Sequence, residues 1–132
     1  MMIIVSAKRK FAIARAYIKE GKGVVKINSV PIEFYEPLLA RVRIMEPLIL
    51  AGEEYVSKVD IKVRVNGGGF MGKADAARTA IAKALVEYFN DERLKNLFIS
   101  YDPWLLKSDI RKKEQRKSPT SKARKHYQTS YR

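Results

Sequence analysis

Residues 55–89 read YVSKVDIKVRVNGGGFMGKADAARTAIAKALVEYF. From Tyr55 to Val65 the positions alternate. Tyr55, Val59, Ile61, Val63 and Val65 fall on one side, and Lys58, Asp60, Lys62 and Arg64 on the other. A period of two is the signature of a strand with one buried face, and here the opposite face is mostly basic. Asn66-Gly67-Gly68-Gly69 breaks the strand. From Ala74 to Phe89 the period changes, and Ala74, Ala77, Ile81, Ala84, Leu85 and Tyr88 form a helical stripe. Most of these side chains are small, which suits a helix lying close on a sheet. A strand, a glycine break and an alanine-rich helix in succession predict an α+β body.

Outward from this stretch, Ile3–Lys19 reads as one strand with two useful faces. Phe11, Ile13, Arg15 and Tyr17 share one face; Ala12, Ala14, Ala16 and Ile18 share the other. Gly21-Lys22-Gly23 is a turn, and Val24-Val25-Lys26-Ile27 after it predicts a hairpin. Asn28-Ser29 marks the next turn. Phe34–Leu50 has apolar residues at helical spacing, with Pro37 and Pro47 placed to open two short helices, since proline suits a first helical turn. A further helix is expected over about Asp91–Ile99 with Asn90 as its N-cap, and Asp102-Pro103 closes the body. The division expected is a folded domain over 1–106 and an extended basic tail over 107–132.

That division follows from charge. The chain of 132 residues has 27 Lys+Arg against 14 Asp+Glu, a formal net of +13. From Lys107 onward, ten cations (Lys107, Arg111, Lys112, Lys113, Arg116, Lys117, Lys122, Arg124, Lys125 and Arg132) face only Asp109 and Glu114. This last fifth of the chain holds most of the excess. Beyond Ile110 it has no aliphatic side chain larger than alanine, so it cannot bury enough surface to offset the entropy of ordering and is expected to stay extended until bound. A charge of this size needs a polyanion, most commonly nucleic acid. His126, Tyr127 and Tyr131 interleave with the cations, a pattern suited to irregular or single-stranded RNA. The hydrophobic fraction of 46% is nevertheless that of a folded protein.

Other chemistries are narrowed by absence. With no cysteine and one histidine, thiolate nucleophiles, disulfides and multi-imidazole metal sites are excluded, and neither cofactor nor metal is expected. Met1–Val5 is apolar, but the charged Lys8-Arg9-Lys10 follows it, the reverse of a signal peptide. No apolar run approaches the ~20 residues of a membrane helix, so a membrane partner is not expected. Gly67–Lys73 matches G-x-x-x-x-G-K and lies between a strand and a helix, the setting of a phosphate-binding loop. Ala74 stands where magnesium binding needs a Ser or Thr hydroxyl. Two readings therefore remain together: a tight connection needing positive φ, and backbone N–H groups with Lys73 set against an RNA phosphate. Lys8, Arg9, Lys10, Arg15 and Lys19 are candidates for phosphate contact on the body, with Arg64 from the central strand.

These residues together resemble the small-subunit ribosomal protein nine family, of the archaeal and eukaryotic type. The opening motif appears as Lys8-Arg9-Lys10-Phe11-Ala12-Ile13-Ala14-Arg15-Ala16, followed by Gly21-Lys22-Gly23 and Asn28. The central signature runs from Val65 through the glycines and Ala77, Arg78, Ile81 and Ala82 to Leu85. The ending appears as Lys122-Ala123-Arg124 and Gln128-Thr129-Ser130-Tyr131-Arg132. Lys73 stands where the family usually has glutamine, and Ser118-Pro119-Thr120-Ser121 where its tail tends to have glycine.

The resemblance implies a sheet with helices packed on one side, similar to the second domain of ribosomal protein five. It implies a non-enzymatic, cytoplasmic, ribosome-bound protein in the head of the small subunit, among neighbouring head proteins. The rRNA-binding set it suggests is Lys8, Arg9, Lys10, Arg15, Arg64, Gly67, Gly68, Gly69, Lys73 and Arg78 on the body. In the tail it is Arg111, Lys112, Lys113, Arg116, Lys117, Lys122, Arg124, Lys125 and Tyr127. Ser130, Tyr131 and Arg132 are implied to reach the anticodon stem-loop of the peptidyl-site tRNA during translation. The rival readings are a free RNA or DNA chaperone or chromatin protein with the same electrostatics, and a small phosphate-transfer enzyme using the glycine loop.

Overall fold

The computed structural model describes residues 2–116 and 123–124. The expected central strand and helix are both present. Strand β5 (Val59–Asn66) buries Val59, Ile61, Val63 and Val65, and helix α3 (Phe70–Phe89) follows the glycines. The helix starts at Phe70, four residues before the point its stripe suggested. Tyr55 does not join the strand; it lies in a single helical turn, α2 (Glu53–Val56).

The N-terminal alternation is divided between two strands. β1 (Ile3–Arg9) and β2 (Ala12–Glu20) pair antiparallel, with Arg9 opposite Ala12 and only Lys10-Phe11 between them. Lys10 takes φ 55, a left-handed conformation that glycine or asparagine usually supplies. With neither residue present, the turn left no mark in the sequence.

The hairpin expected after Gly21-Lys22-Gly23 does not form. β3 (Val25–Ile27) pairs parallel with β5, and β5 in turn pairs antiparallel with β2, so the sheet order is β1-β2-β5-β3-β4. The physical reason lies at the start of β5. Gly21 N–H donates to the Lys58 carbonyl and Gly23 N–H to that of Val59, both at 3.0 Å. The Asp60 carboxylate accepts from Lys22 N–H at 2.9 Å and Val24 N–H at 3.0 Å. The chain is thus led round the end of β5 to its far side. A Cβ on Gly21 would collide with the Asp60 carboxyl.

Asn28-Ser29 turns as expected into β4 (Val30–Pro31), both residues at positive φ. The Asn28 side chain also prolongs the sheet: it accepts from Val65 N–H at 2.9 Å and donates to the Val65 carbonyl at 3.1 Å.

The two short helices expected over Phe34–Leu50 are one, α1 (Leu38–Ala51). Pro37 precedes its first turn as expected, but Pro47 is inside and buried. One backbone bond is forgone there, and the helix continues because Ala40, Ile44, Pro47 and Ala51 form its buried stripe. Helix α4 (Glu92–Tyr101) is capped by Asp91, whose side chain accepts from Arg93 N–H, while Asn90 closes α3 at φ 50.

The helices lie on one face of the sheet. Helix α3 packs on β1, β2 and β5, and α1 and α4 pack on α3. Small residues meet at this seam: Ala7, Ala12, Ala14 and Ala16 from the sheet, and Ala74, Ala76, Ala77, Ala80, Ala82 and Ala84 from α3, all buried. The short turn Pro103–Leu105 adds Leu105 to the core, so the body runs beyond Asp102-Pro103. No helix of the described residues is long and apolar enough to cross a membrane.

Candidate nucleic-acid interface

With every helix of the described residues on one side, the other face of the sheet is left open among those residues. The alternation that sends Ala12, Ala14, Ala16 and Ile18 inward sends Ile13, Arg15, Tyr17 and Lys19 outward. Lys8 on β1, Lys62 and Arg64 on β5 and Lys26 on β3 point the same way. Register sets these groups in rows. Arg15 lies opposite Arg64, and Lys62 lies opposite Tyr17 on one side and Lys26 on the other. Like charges placed directly across strands repel. An isolated protein gains nothing from Arg15 facing Arg64 or Lys62 facing Lys26, whereas a polyanion lying across the strands would neutralise both pairs.

The one acid at an outward position of β1, β2, β3 or β5 is Asp60. Val24 and Lys22 N–H groups hold its carboxyl below the usual carboxylate range, so its charge is directed into the Gly21–Val24 loop. Around Tyr17 the surface forms an open concavity of about 570 Å³, lined by Met2, Lys19, Lys26, Lys62 and Arg64 among others. An aromatic ring ringed by cations can stack an unpaired base while the cations meet its phosphates.

The glycine loop adjoins this face. Asn66 lies opposite Ile13, which lies opposite Lys8, and the loop folds over the β1–β2 turn. Gly67 has φ 80, and a Cβ there would stand 2.5 Å from the Phe11 carbonyl oxygen; Gly68 has φ 70 and lies against Ala12. Close approach therefore accounts for both glycines. Gly69 precedes α3, and its carbonyl accepts from Lys73 N–H at 2.9 Å. Gly67, Gly68 and Gly69 are exposed and Lys73 is half-buried.

Of the residues singled out in the sequence, Lys8, Arg15 and Arg64 lie on the open face and Lys10 in the turn at its end. Two are corrected. Arg78 is 5% exposed, with Nε 2.7 Å from Glu46 and Nη2 3.0 Å from Asp102. It ties α1 to the end of α4 through α3 and offers no surface to RNA. Arg9 is also drawn inward, between Asp75 at 3.8 Å and Asp109 at 2.7 Å; the latter contact is an ion pair whose angle makes no hydrogen bond.

Asp109 also accepts from the Arg111 side chain and its N–H, and these hydrogen bonds bring its pKa down to about 2. A bridge between Arg9 and Asp109 places the root of the tail beside β1. Beyond it, Lys112, Lys113 and Arg116 are exposed, and Arg124 pairs with Glu114 at 2.7 Å. Lys117, Lys122, Lys125, Tyr127, Ser130, Tyr131 and Arg132 lie outside the described residues, as does Ser118–Ser121. Lys19, a candidate from the sequence, is on this face too; Tyr17, Lys26 and Lys62 were not among the candidates. Their phase shared with Arg15 and Arg64 was visible, but the pairing of β3 with β5 was not.

Comparison with known proteins bears on the same features. The family described as Ribosomal protein S9/S16 matches residues 7–132. Small ribosomal subunit protein uS9 of Methanothrix thermoacetophila is 53% identical over 127 residues, covering 96% of each chain. That of Halobacterium salinarum is 46% identical over 132 residues, all of both chains. The chain belongs to the ribosomal protein S9/S16 family. Members of this family are ribosomal proteins rather than enzymes, which removes the phosphate-transfer reading of the glycine loop. In this S9-family chain the loop is a close-packed connection at the edge of a basic sheet face.

Proposed function

We propose that the chain is a structural constituent of the small ribosomal subunit, cytoplasmic and ribosome-bound, whose folded body docks on rRNA through the open face of its sheet. The observation that carries this is the pair of cross-strand repulsions, Arg15 with Arg64 and Lys62 with Lys26, on a face whose single carboxylate is engaged by its own loop. Lys8, Lys10, Tyr17, Lys19 and the loop of Gly67, Gly68, Gly69 and Lys73 complete that surface. The body's likeness to the second domain of ribosomal protein five, which the family implies, rests on the same sheet with helices on one side.

The tail extends the contact. Arg111, Lys112, Lys113, Arg116, Lys117, Lys122, Arg124, Lys125 and Tyr127 supply cations and an aromatic ring to packed rRNA. Ser130, Tyr131 and Arg132 reach the anticodon stem-loop of the peptidyl-site tRNA, a reading supported by the family's ending in this sequence. Six to ten phosphate contacts would lower affinity on the order of 10³–10⁵-fold between 50 and 200 mM salt. The test is assembly of small subunits with chains lacking Ser130–Arg132. Incorporation should match the full chain while peptidyl-site tRNA dissociates faster; unchanged tRNA dissociation would refute the contact.

A further inference from the structure

The helix layer carries a second surface of opposite character. Helix α1 has two apolar stripes. The buried one is Ala40, Ile44, Pro47 and Ala51. The other is Leu38, Val42, Met45 and Ile49, at spacings of four, three and four, which places them within about 60° of the helix circumference over roughly three turns; Met45 is half-buried and leans on the core, and the other three stand out. Leu38 is 60%, Val42 53% and Ile49 69% exposed. Leu39 and, just before the helix, Phe34 are more exposed still. Contiguous exposed apolar surface of this kind marks a docking site.

The charge around this stripe identifies what docks there. Between Pro31 and Lys58 the chain has five carboxylates and two arginines, a local excess of acid in a protein of net charge +13. Glu33 and Glu36 lie before the helix, and Glu53 and Glu54 beyond its end, all exposed. Arg43 is turned to Asp75 at 2.8 Å, and Arg41 donates to the Glu33 carbonyl at 2.6 Å. Phosphates are repelled by such a rim. A second copy would bring the same carboxylates against one another across a two-fold interface. We infer that the outward stripe of α1 docks another protein of the same particle, one presenting an apolar strip bordered by lysine and arginine. This surface rests on the chain's place in the ribosome but not on the sheet face.

The test is photocrosslinking in assembled small subunits containing the full chain, with benzoylphenylalanine at Val42, at Ile49, or at Tyr17 as reference. The two α1 positions should couple to a different ribosomal protein, at a peptide where Lys or Arg flanks apolar residues, and Tyr17 to rRNA. Coupling of both α1 positions to rRNA, to another copy of this chain, or to nothing would overturn the inference. If Tyr17 misses rRNA while Val42 and Ile49 reach a protein, the sheet-face reading falls and this one stands.

Discussion

Arg78 and Asp109 show how far single residues decide what surface is available to RNA. The Arg78 guanidinium is buried against Glu46 and Asp102, each partly exposed. Arg78→Met removes the cation and leaves two carboxylates facing one another. The expected loss is about 2–3 kcal/mol of stability, read by urea denaturation. An unchanged midpoint would show that the pair contributes nothing. At Asp109, hydrogen bonds from Arg111 lower the folded pKa from 3.8 to about 2. A depressed carboxyl pKa stabilises the folded contact above the ordinary value and ceases to do so as pH falls through the folded one. The clasp between Asp109 and Arg111 should therefore open with a midpoint near pH 2 rather than near 3.8, followed by the NMR shift of Arg111 Nε, and Asp109→Asn should abolish that transition. Neither role was legible in the sequence. Arg78 reads as one more cation in a basic helix, because its partners are 32 and 24 positions away.

At the scale of elements, the alternating and helical periods were legible where burial is one-sided. That is why the inward faces of β2 and β5 and most of the α3 stripe agree with the expectation. The misses were turns and partners. Lys10 turns without glycine, Pro47 stays inside a helix held by its buried stripe, and Asp60 redirects the chain so that β3 meets β5 rather than β2. These depend on contacts between distant residues, which periodicity does not record. The alanine seam makes the packing of α3 sensitive to size. Ala14→Leu should overpack it by about 1–3 kcal/mol, with the thermal midpoint lowered accordingly. The open face predicts the opposite for its cations. Lys62→Gln relieves repulsion from Lys26 and should raise stability by about 0.2–1 kcal/mol while weakening rRNA binding. A variant that is both less stable and unchanged in binding would place Lys62 outside the interface.

Across the whole molecule, charge and hydrophobicity are sorted by face. The open sheet surface is basic with Tyr17 at its centre; the far side of the helix layer has an apolar stripe with an acidic rim; and the tail leaves the body beside β1, held by Arg9 and Asp109. Composition revealed the need for a polyanion and the asymmetry of the tail. It could not reveal that the body's own excess charge is gathered on one face, because that depends on the strand order. The root of the tail is tied to the body at one point, where Asp109 meets Arg9. The central claim is that this face binds rRNA, and salt dependence tests it most directly. Binding of small-subunit rRNA to the full chain and to a Lys26→Gln, Lys62→Gln double variant would be measured across 50–200 mM salt. Loss of two phosphate contacts should lower the slope of log K against log salt by about 1.4–1.8, with the fold intact by circular dichroism. An unchanged slope in the folded variant would contradict the account.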